Sequence, residues 1–216
     1  MKKIAFNYNK QLFDKANRFV DFRTKCKDYL KEGGIDFDKF TIVEHDAFIG
    51  YITEKLIAKY LSERYDFLVV STWEDEYNIR EIITILENKD FSDNSKILVK
   101  NYFYDNWDLK VKIGAKVLFC DVKTAYTKKE PNIKWNFLYP VIQANKKMKD
   151  IIILVYYIVE DLKSIESLKE LILIGYTIPE IILSCEIIKA GEVTEFNTVS
   201  QIDNYITNLA KHYLDL

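Results

Sequence analysis

In the segment Val117-Leu118-Phe119-Cys120-Asp121-Val122-Lys123 a carboxylate and an ammonium stand two residues apart at the end of an apolar run. Side chains alternate across a β-strand, so Leu118, Cys120 and Val122 would share one face while Asp121 and Lys123 project together from the other. The segment before it alternates in the same way, with Leu109, Val111 and Ile113 against Asp108, Lys110 and Lys112. Gly114 marks a tight hairpin between the two. Pairing across that hairpin lays the start of the first strand beside the end of the second, so Asp108 and Asp121 should converge. Two carboxylates that meet at a sheet edge repel unless a cation sits between them, and hard oxygen donors select Mg²⁺, with Mn²⁺ as a substitute. Such an ion polarises a phosphodiester and lowers the pKa of an attacking water, while a neighbouring Lys123 would hold that water and balance developing charge. The expected chemistry is phosphodiester hydrolysis without a covalent intermediate.

These residues need a sheet to carry them and helices to cover it. Residues 7–31 place Leu12, Ala16, Phe19, Cys26 and Leu30 at helical spacing as far as Gly33-Gly34, which predicts a first amphipathic helix. A second helix is expected to open after Asp46 as its N-cap and to run to about Arg64, with Ile49, Ile52, Leu56 and Tyr60 facing the core. A short strand near Phe67–Ser71 and a helix over 78–88 follow. Lys96–Tyr104, Trp107–Ile113 and Lys116–Thr124 then read as three strands. A helix from about Asn136 to Lys149, with Pro140 near its first turn, precedes the apolar run Ile151–Tyr157, the mark of a strand covered on both faces. Strand, helix and strand would form a right-handed parallel crossover. A strand near Leu168–Ile174, a short helix opened by Thr177-Ile178-Pro179-Glu180 at capping-box spacing, and a last helix with Ile202, Tyr205, Ile206 and Leu209 on one side complete the chain. The pattern is that of a single α/β domain with a mixed β-sheet flanked by helices.

Trp107-Asp108, an interval of thirteen residues, and Asp121-Val122-Lys123 closing an apolar strand resemble the PD-(D/E)XK signature of restriction-endonuclease-like nucleases. The resemblance implies a core of order αβββαβ over residues 46–158, preceded by an N-terminal helical extension over 1–45 and followed by a C-terminal strand and helices over 159–216. It implies a Mg²⁺-dependent DNA endonuclease in which Asp108 and Asp121 ligate the ion, the Val122 carbonyl also reaches it, and Lys123 positions the attacking water. Members of the superfamily often carry a Glu on the first core helix as a further metal or water ligand, and Gly50–Leu56 resembles that element, with Glu54 in the role. Helical geometry adds to this. Glu54 falls on the flank of the buried stripe near Gly50, Ile57 and Leu61, no basic residue lies one turn away, and the small Gly50 would permit close approach to the sheet. The chain departs from the signature in having Trp107 where Pro names it, and Asp105 is an alternative to Asp108. Tyr139 and Gln143 lie one helical turn apart and could face the site, but Lys147 stands where the QxxxY pattern of one branch has Tyr. Gly175–Glu180 is similar to the segment after the core in some small viral and mobile-element nucleases.

Composition bounds the rest. With 49% hydrophobic and 30% charged residues, six Gly and three Pro, the chain is neither disordered nor low in complexity. Its length lets it bury about 70% of its extended surface without a staple. Cys26, Cys120 and Cys185 are widely spaced and in no CxxC arrangement, which favours reduced thiols and a cytoplasmic, intracellular chain. No long uncharged apolar window suggests a membrane span or a signal peptide. The formal net charge is −2, yet residues 101–150 carry ten Lys and no Arg against five acids, a basic strip around the proposed site that suits a phosphate-bearing partner. Tyr126, Trp135 and Tyr139 among those lysines could stack on bases, although core packing is the commoner role. Cys120 should be buried rather than nucleophilic, and His45 and His212 suggest neither a metal pair nor a triad. The expected partner is DNA, and cutting both strands would require a homodimer or two visits by a monomer. The alternatives are a nuclease selective for branched or single-stranded DNA in repair, recombination or viral replication, and a nucleic-acid-binding protein that keeps the fold without cleavage.

Overall fold

The computed structural model describes residues 1–5, 9–36, 44–104, 106–132, 135, 137–140, 149–158, 170–185, 187–188, 193–196 and 199–214, with the backbone alone described at 5, 44, 45, 140, 187, 188 and 193–196. The first strand is β1 (Lys2–Ala5), followed by helices α1 (Lys10–Glu32) and α2 (Glu44–Arg64). Next come β2 (Leu68–Thr72), a single 3-10 turn (Trp73–Glu76), α3 (Ile79–Asn88) and α4 (Asp93–Tyr104). Strands β3 (Leu109–Ile113), β4 (Lys116–Thr127), β5 (Phe137–Pro140), β6 (Ile151–Ile158) and β7 (Glu170–Thr177) form the middle of the chain. The end consists of α5 (Pro179–Leu183), β8 (Ile187–Ile188), β9 (Val193–Phe196) and α6 (Ile202–Tyr213).

Among the described residues the strands make a six-stranded sheet in the order β1-β7-β6-β4-β3-β2 and a three-stranded sheet in the order β5-β9-β8. The protein is therefore a mixed α/β fold. β2, β3 and β4 run as an antiparallel meander, and β4 pairs with β6 in parallel, Cys120 opposite Ile151 and Asp121 opposite Ile152. The β3–β4 turn is tight because Gly114 adopts φ +57°, and a Cβ there would also come within 2.9 Å of the Tyr213 carbonyl oxygen at the end of α6.

The central sheet has a distinct core on each face. One face carries Leu109, Val111, Leu118, Cys120, Val122, Ile153, Val155 and Tyr157, packed with Ile49, Ile52, Ile57 and Leu61 of α2 and with α1 and α6. The other face carries Ile152, Leu154, Ile172 and Ile174, covered by Phe137 and Tyr139 of β5 and Ile182 of α5. The unbroken run in β6 is thus apolar because both of its faces are covered. Each such buried aliphatic side chain contributes about 1.5–3 kcal/mol relative to exposure.

Local signals account for most boundaries. Asn9 caps α1 by accepting from the N–H groups of Gln11 and Leu12, and Gly33 closes it with its N–H on the Tyr29 carbonyl. α2 begins at Glu44, so Asp46 lies inside the helix rather than at its N-cap. Lys96–Tyr104, rich in residues favourable to strands, is instead part of the helix α4. Ser95, Val99, Tyr102 and Phe103 bury a face of helical period, with Tyr102 packed 4.8 Å from Trp73, while Ile97 is turned outward. Tertiary contact outweighs propensity here. The helix expected over Asn136–Lys149 is contradicted at its start, because Phe137–Pro140 is the strand β5, with Phe137 and Tyr139 inward and Leu138 outward in period 2. Pro140 is tolerated because β5 lies at the edge of its sheet. Residues 141–148 of that expected helix lie outside the described residues. Residues 1–45 are not purely helical, since β1 pairs with β7 in the central sheet. α5 has Ile178 as its N-cap without a side-chain bond, and Thr177, expected to cap it, ends β7.

Candidate active site

β4 carries the site. Because it is paired on both sides, alternation sends Cys120 and Val122 into the layer under α2, and Asp121 and Lys123 to the opposite face, beside Ile152 and Leu154 of β6. Asp121 is only 3% exposed. An ionised carboxylate so deeply placed must be paired and hydrogen-bonded. The Lys123 ammonium lies 3.1 Å from Asp121 Oδ2, and the Tyr139 hydroxyl donates to the same oxygen at 2.9 Å. The Lys149 ammonium donates to Asp121 Oδ1 and lies 3.3 Å from the Tyr139 oxygen. Lys123 also stands over the Tyr139 ring, 5.6 Å from its centroid.

The electrostatics follow from this geometry. Burial by itself would raise the Asp121 pKa, but the Lys123 and Lys149 charges and their hydrogen bonds overcome it and hold the carboxyl below the ordinary range. Burial first, and then the Asp121 charge, push the Tyr139 phenol far above its ordinary value, so it remains a proton donor. Cys120 is fully buried, and burial together with Asp150, Asp108 and Asp121 pushes its thiol upward, which removes it as a thiolate nucleophile.

Asp108 sits one residue ahead of β3. Its backbone N–H donates to the Cys120 carbonyl at 2.8 Å, and its Oδ2 accepts the Val122 N–H at 2.5 Å. Backbone N–H groups of a strand lie in the plane of the sheet, so this carboxylate substitutes for a strand partner where the β3–β4 pairing ends. Asp108 and Asp121 are brought to adjoining points of β4, one on the backbone of Val122 and the other immediately before it. Trp107, in the place of the signature proline, packs against Phe119 with centroids 5.4 Å apart. Asp105, the alternative to Asp108, lies outside the described residues, as does Gln143.

Glu54 is 9% exposed and belongs to α2, whose core face packs on the Cys120 and Val122 side of the sheet. The neighbouring Thr53 hydroxyl is 3.2 Å from the Tyr157 hydroxyl on that same side. Among the described residues no three His, Cys, Asp or Glu side chains lie close enough to hold one ion, so Glu54 does not complete a three-carboxylate cluster with Asp108 and Asp121. Gly50 does not serve the close approach expected of it: a Cβ there would meet no part of the sheet and only Glu54 Oε1, at the ordinary contact distance of 3.9 Å.

No protein-family model matches the chain, and neither a curated protein nor a solved structure matches it.

The donor chemistry nevertheless suits a hard divalent ion. Asp108 and Asp121 are oxygen donors at adjoining positions, the Val122 carbonyl is the next main-chain oxygen, and the ammonium of Lys149 is a stand-in cation on Asp121. The wider basic strip is partly consumed within the fold. Lys110 pairs with Glu76 at 2.6 Å, and Lys123 and Lys149 turn onto Asp121, whereas Lys112, Lys128 and Lys129 are exposed and Lys134, Lys146 and Lys147 lie outside the described residues. Tyr139 is completely buried and Trp135 packs on Tyr156 at 5.7 Å, so the two have packing roles rather than open stacking faces. No helix among the described residues is long and apolar enough to cross a membrane.

Sequence reasoning does not assign two members of the site. Tyr139 is expected near it as a helical residue, but it acts from a strand. Lys149 counts there only as one of ten lysines and as the end of the expected helix. Its position two residues ahead of the apolar run of β6 is a usable signal once that strand is laid parallel to β4.

Proposed function

We propose that the protein is a divalent-metal-dependent DNA endonuclease with a restriction-endonuclease-like core. The observation that carries this reading is the grouping on β4: Lys123 is 3.1 Å from Asp121, and Asp108 is bonded to the main chain of the residue between them. The element order supports it as well, because α2 is followed by the meander β2-β3-β4 and then by β6 parallel to β4.

In this reading Asp108, Asp121 and the Val122 carbonyl hold Mg²⁺, or Mn²⁺ in its place. The bound ion supplies Lewis-acid polarisation of a phosphodiester and a lowered pKa for a coordinated water. Lys123 has its side chain 34% exposed, so its ammonium can reach both Asp121 and incoming solvent. It orients the attacking water and offsets the charge that develops on the phosphate oxygens. Asp108 holds β4 where its pairing with β3 ends, and Tyr139 fixes the orientation of the Asp121 carboxylate. The exposed Lys112, Lys128 and Lys129 would meet the phosphate backbone without reading sequence.

A second reading is favoured by one observation: both Asp121 oxygens are already engaged by Lys149, Lys123 and Tyr139. Such a neutralised cluster suits a nucleic-acid-binding protein that keeps the fold without cleavage. Incubating the protein and its Lys123→Ala variant with linear duplex, single-stranded and branched DNA in Mg²⁺ separates the two. The nuclease reading requires cleavage of at least one substrate, reduced about 10²–10⁴-fold in the variant with DNA binding retained. Binding without cleavage of any substrate in Mg²⁺ or Mn²⁺ selects the second reading, and unchanged cleavage by Lys123→Ala removes Lys123 from the site.

A further inference from the structure

We propose that Lys149 is a built-in, exchangeable counter-cation of Asp121, seated on the carboxylate when no metal is bound and displaced when a divalent ion loads. This inference rests on the metal-dependent reading above and concerns how the same site is filled and emptied. The ammonium is bonded to Asp121 Oδ1, with both side chains only 4% exposed, and the Tyr139 oxygen is its second polar contact at 3.3 Å. A buried carboxylate without a cation is strongly disfavoured, so a metal site of this depth needs a substitute charge when empty. A protonated amine has no lone pair to offer a metal, and its charge repels a divalent ion at contact distance. Ion and ammonium therefore compete for Oδ1.

The two lysines on Asp121 are not equivalent in this competition. Lys123 belongs to β4, where its backbone is paired with Leu154 of β6. Lys149 lies outside any described strand, ahead of β6, and the backbone is anchored just after it. The Asp150 N–H donates to the Phe119 carbonyl at 2.8 Å, and Asp150 Oδ2 accepts the Phe119 N–H at 2.7 Å. The four-carbon stem of Lys149 can swing its charge away without breaking a ladder hydrogen bond. Displacement also releases a second cation beside the position that a phosphate would occupy.

Two experiments test this without reading catalysis. In the first, Mn²⁺ binding is titrated by electron paramagnetic resonance on wild type, Lys149→Met, Lys149→Arg and Asp108→Asn, with circular dichroism confirming folded samples. Lys149→Met should bind Mn²⁺ about tenfold more tightly than wild type, Lys149→Arg should not, and Asp108→Asn should bind more weakly. Equal affinity in wild type and Lys149→Met overturns the counter-cation role and leaves the metal reading intact. Mn²⁺ binding to none of the folded proteins overturns the metal reading, and this inference with it. The second experiment needs no substitution: wild-type protein is labelled with acetic anhydride, with and without Mg²⁺, and modification of Lys149 is followed by mass spectrometry. Lys149 should be slow to react alone and several-fold faster with saturating Mg²⁺. A labelling rate that Mg²⁺ does not change overturns the displacement.

Discussion

Lys149 and Asp121 form an ion pair with both side chains 4% exposed, although they come from segments separated by β5 and meet only through the parallel pairing of β4 with β6. A pair buried this far adds little net stability when intact, but it is costly to break from one side.

Replacing Asp121 by Asn should therefore cost stability, whatever the site does. The substitution leaves the Lys149 ammonium buried against a neutral amide, a loss of about 3 kcal/mol. Urea denaturation should show a lower midpoint with an unchanged slope. A variant as stable as the wild type would mean that Lys149 turns to solvent at no cost.

Acid should weaken the fold through the same carboxyl. Its pKa in the folded chain is held below the unfolded value of about 3.9, so the folded state binds fewer protons there. The contribution is present in full above about pH 5 and is lost as the pH falls through 4 and toward the folded value. Unfolding free energy measured from pH 7 to pH 3 should fall less steeply in Asp121→Asn than in wild type. Parallel curves would exclude Asp121 as a source of the acid limb.

Asp108 has a structural role and, in the proposed nuclease reading, a chemical one, and two substitutions should separate them. Asp108→Ala removes the acceptor of the buried Val122 N–H, at a cost of about 1–3 kcal/mol. Asp108→Asn keeps a carbonyl oxygen for that bond and removes the charge. Thermal unfolding should rank wild type and Asn close together, with Ala lower, whereas Mg²⁺-dependent cleavage should be lost in both. A stable Ala variant would show that the bond at Val122 contributes nothing to the fold.

Tyr139→Phe should keep the packing of the second core and lose one hydrogen bond to an ionised group, worth about 1.5–3 kcal/mol. The tyrosine ring volume is preserved, so the loss should be measurable as a shift in denaturation midpoint without a change in near-ultraviolet circular dichroism. An unchanged midpoint would show that Lys123 and Lys149 satisfy Asp121 by themselves.

Much of the arrangement is written in local periodicity. The side-by-side position of Asp121 and Lys123 follows from the period of two in a strand, the Gly114 hairpin from the need for a left-handed turn, and the doubly covered β6 from seven consecutive apolar or aromatic residues. These depend on a few neighbouring residues and are legible in the sequence. Where a segment's own preferences and its surroundings disagree, the sequence misleads. Lys96–Tyr104 has the composition of a strand, yet contact of Tyr102 with Trp73 and Tyr77 favours a helix. Phe137–Pro140 has a helix-entry proline, yet Phe137 and Tyr139 find their partners as alternate residues of a strand.

Residue types and spacing alone determined that a carboxylate and an amine share one face of a central strand, and that a second carboxylate stands at the start of the segment paired with it. Only the tertiary structure decided that Glu54 belongs to a helix packed on the opposite face and that Tyr139 and Lys149 close around Asp121. The difference is one of range. Alternation along a strand is set by backbone geometry within a few residues, whereas the cation that a buried carboxylate acquires depends on the register between β4 and β6 and on the path of the chain between them.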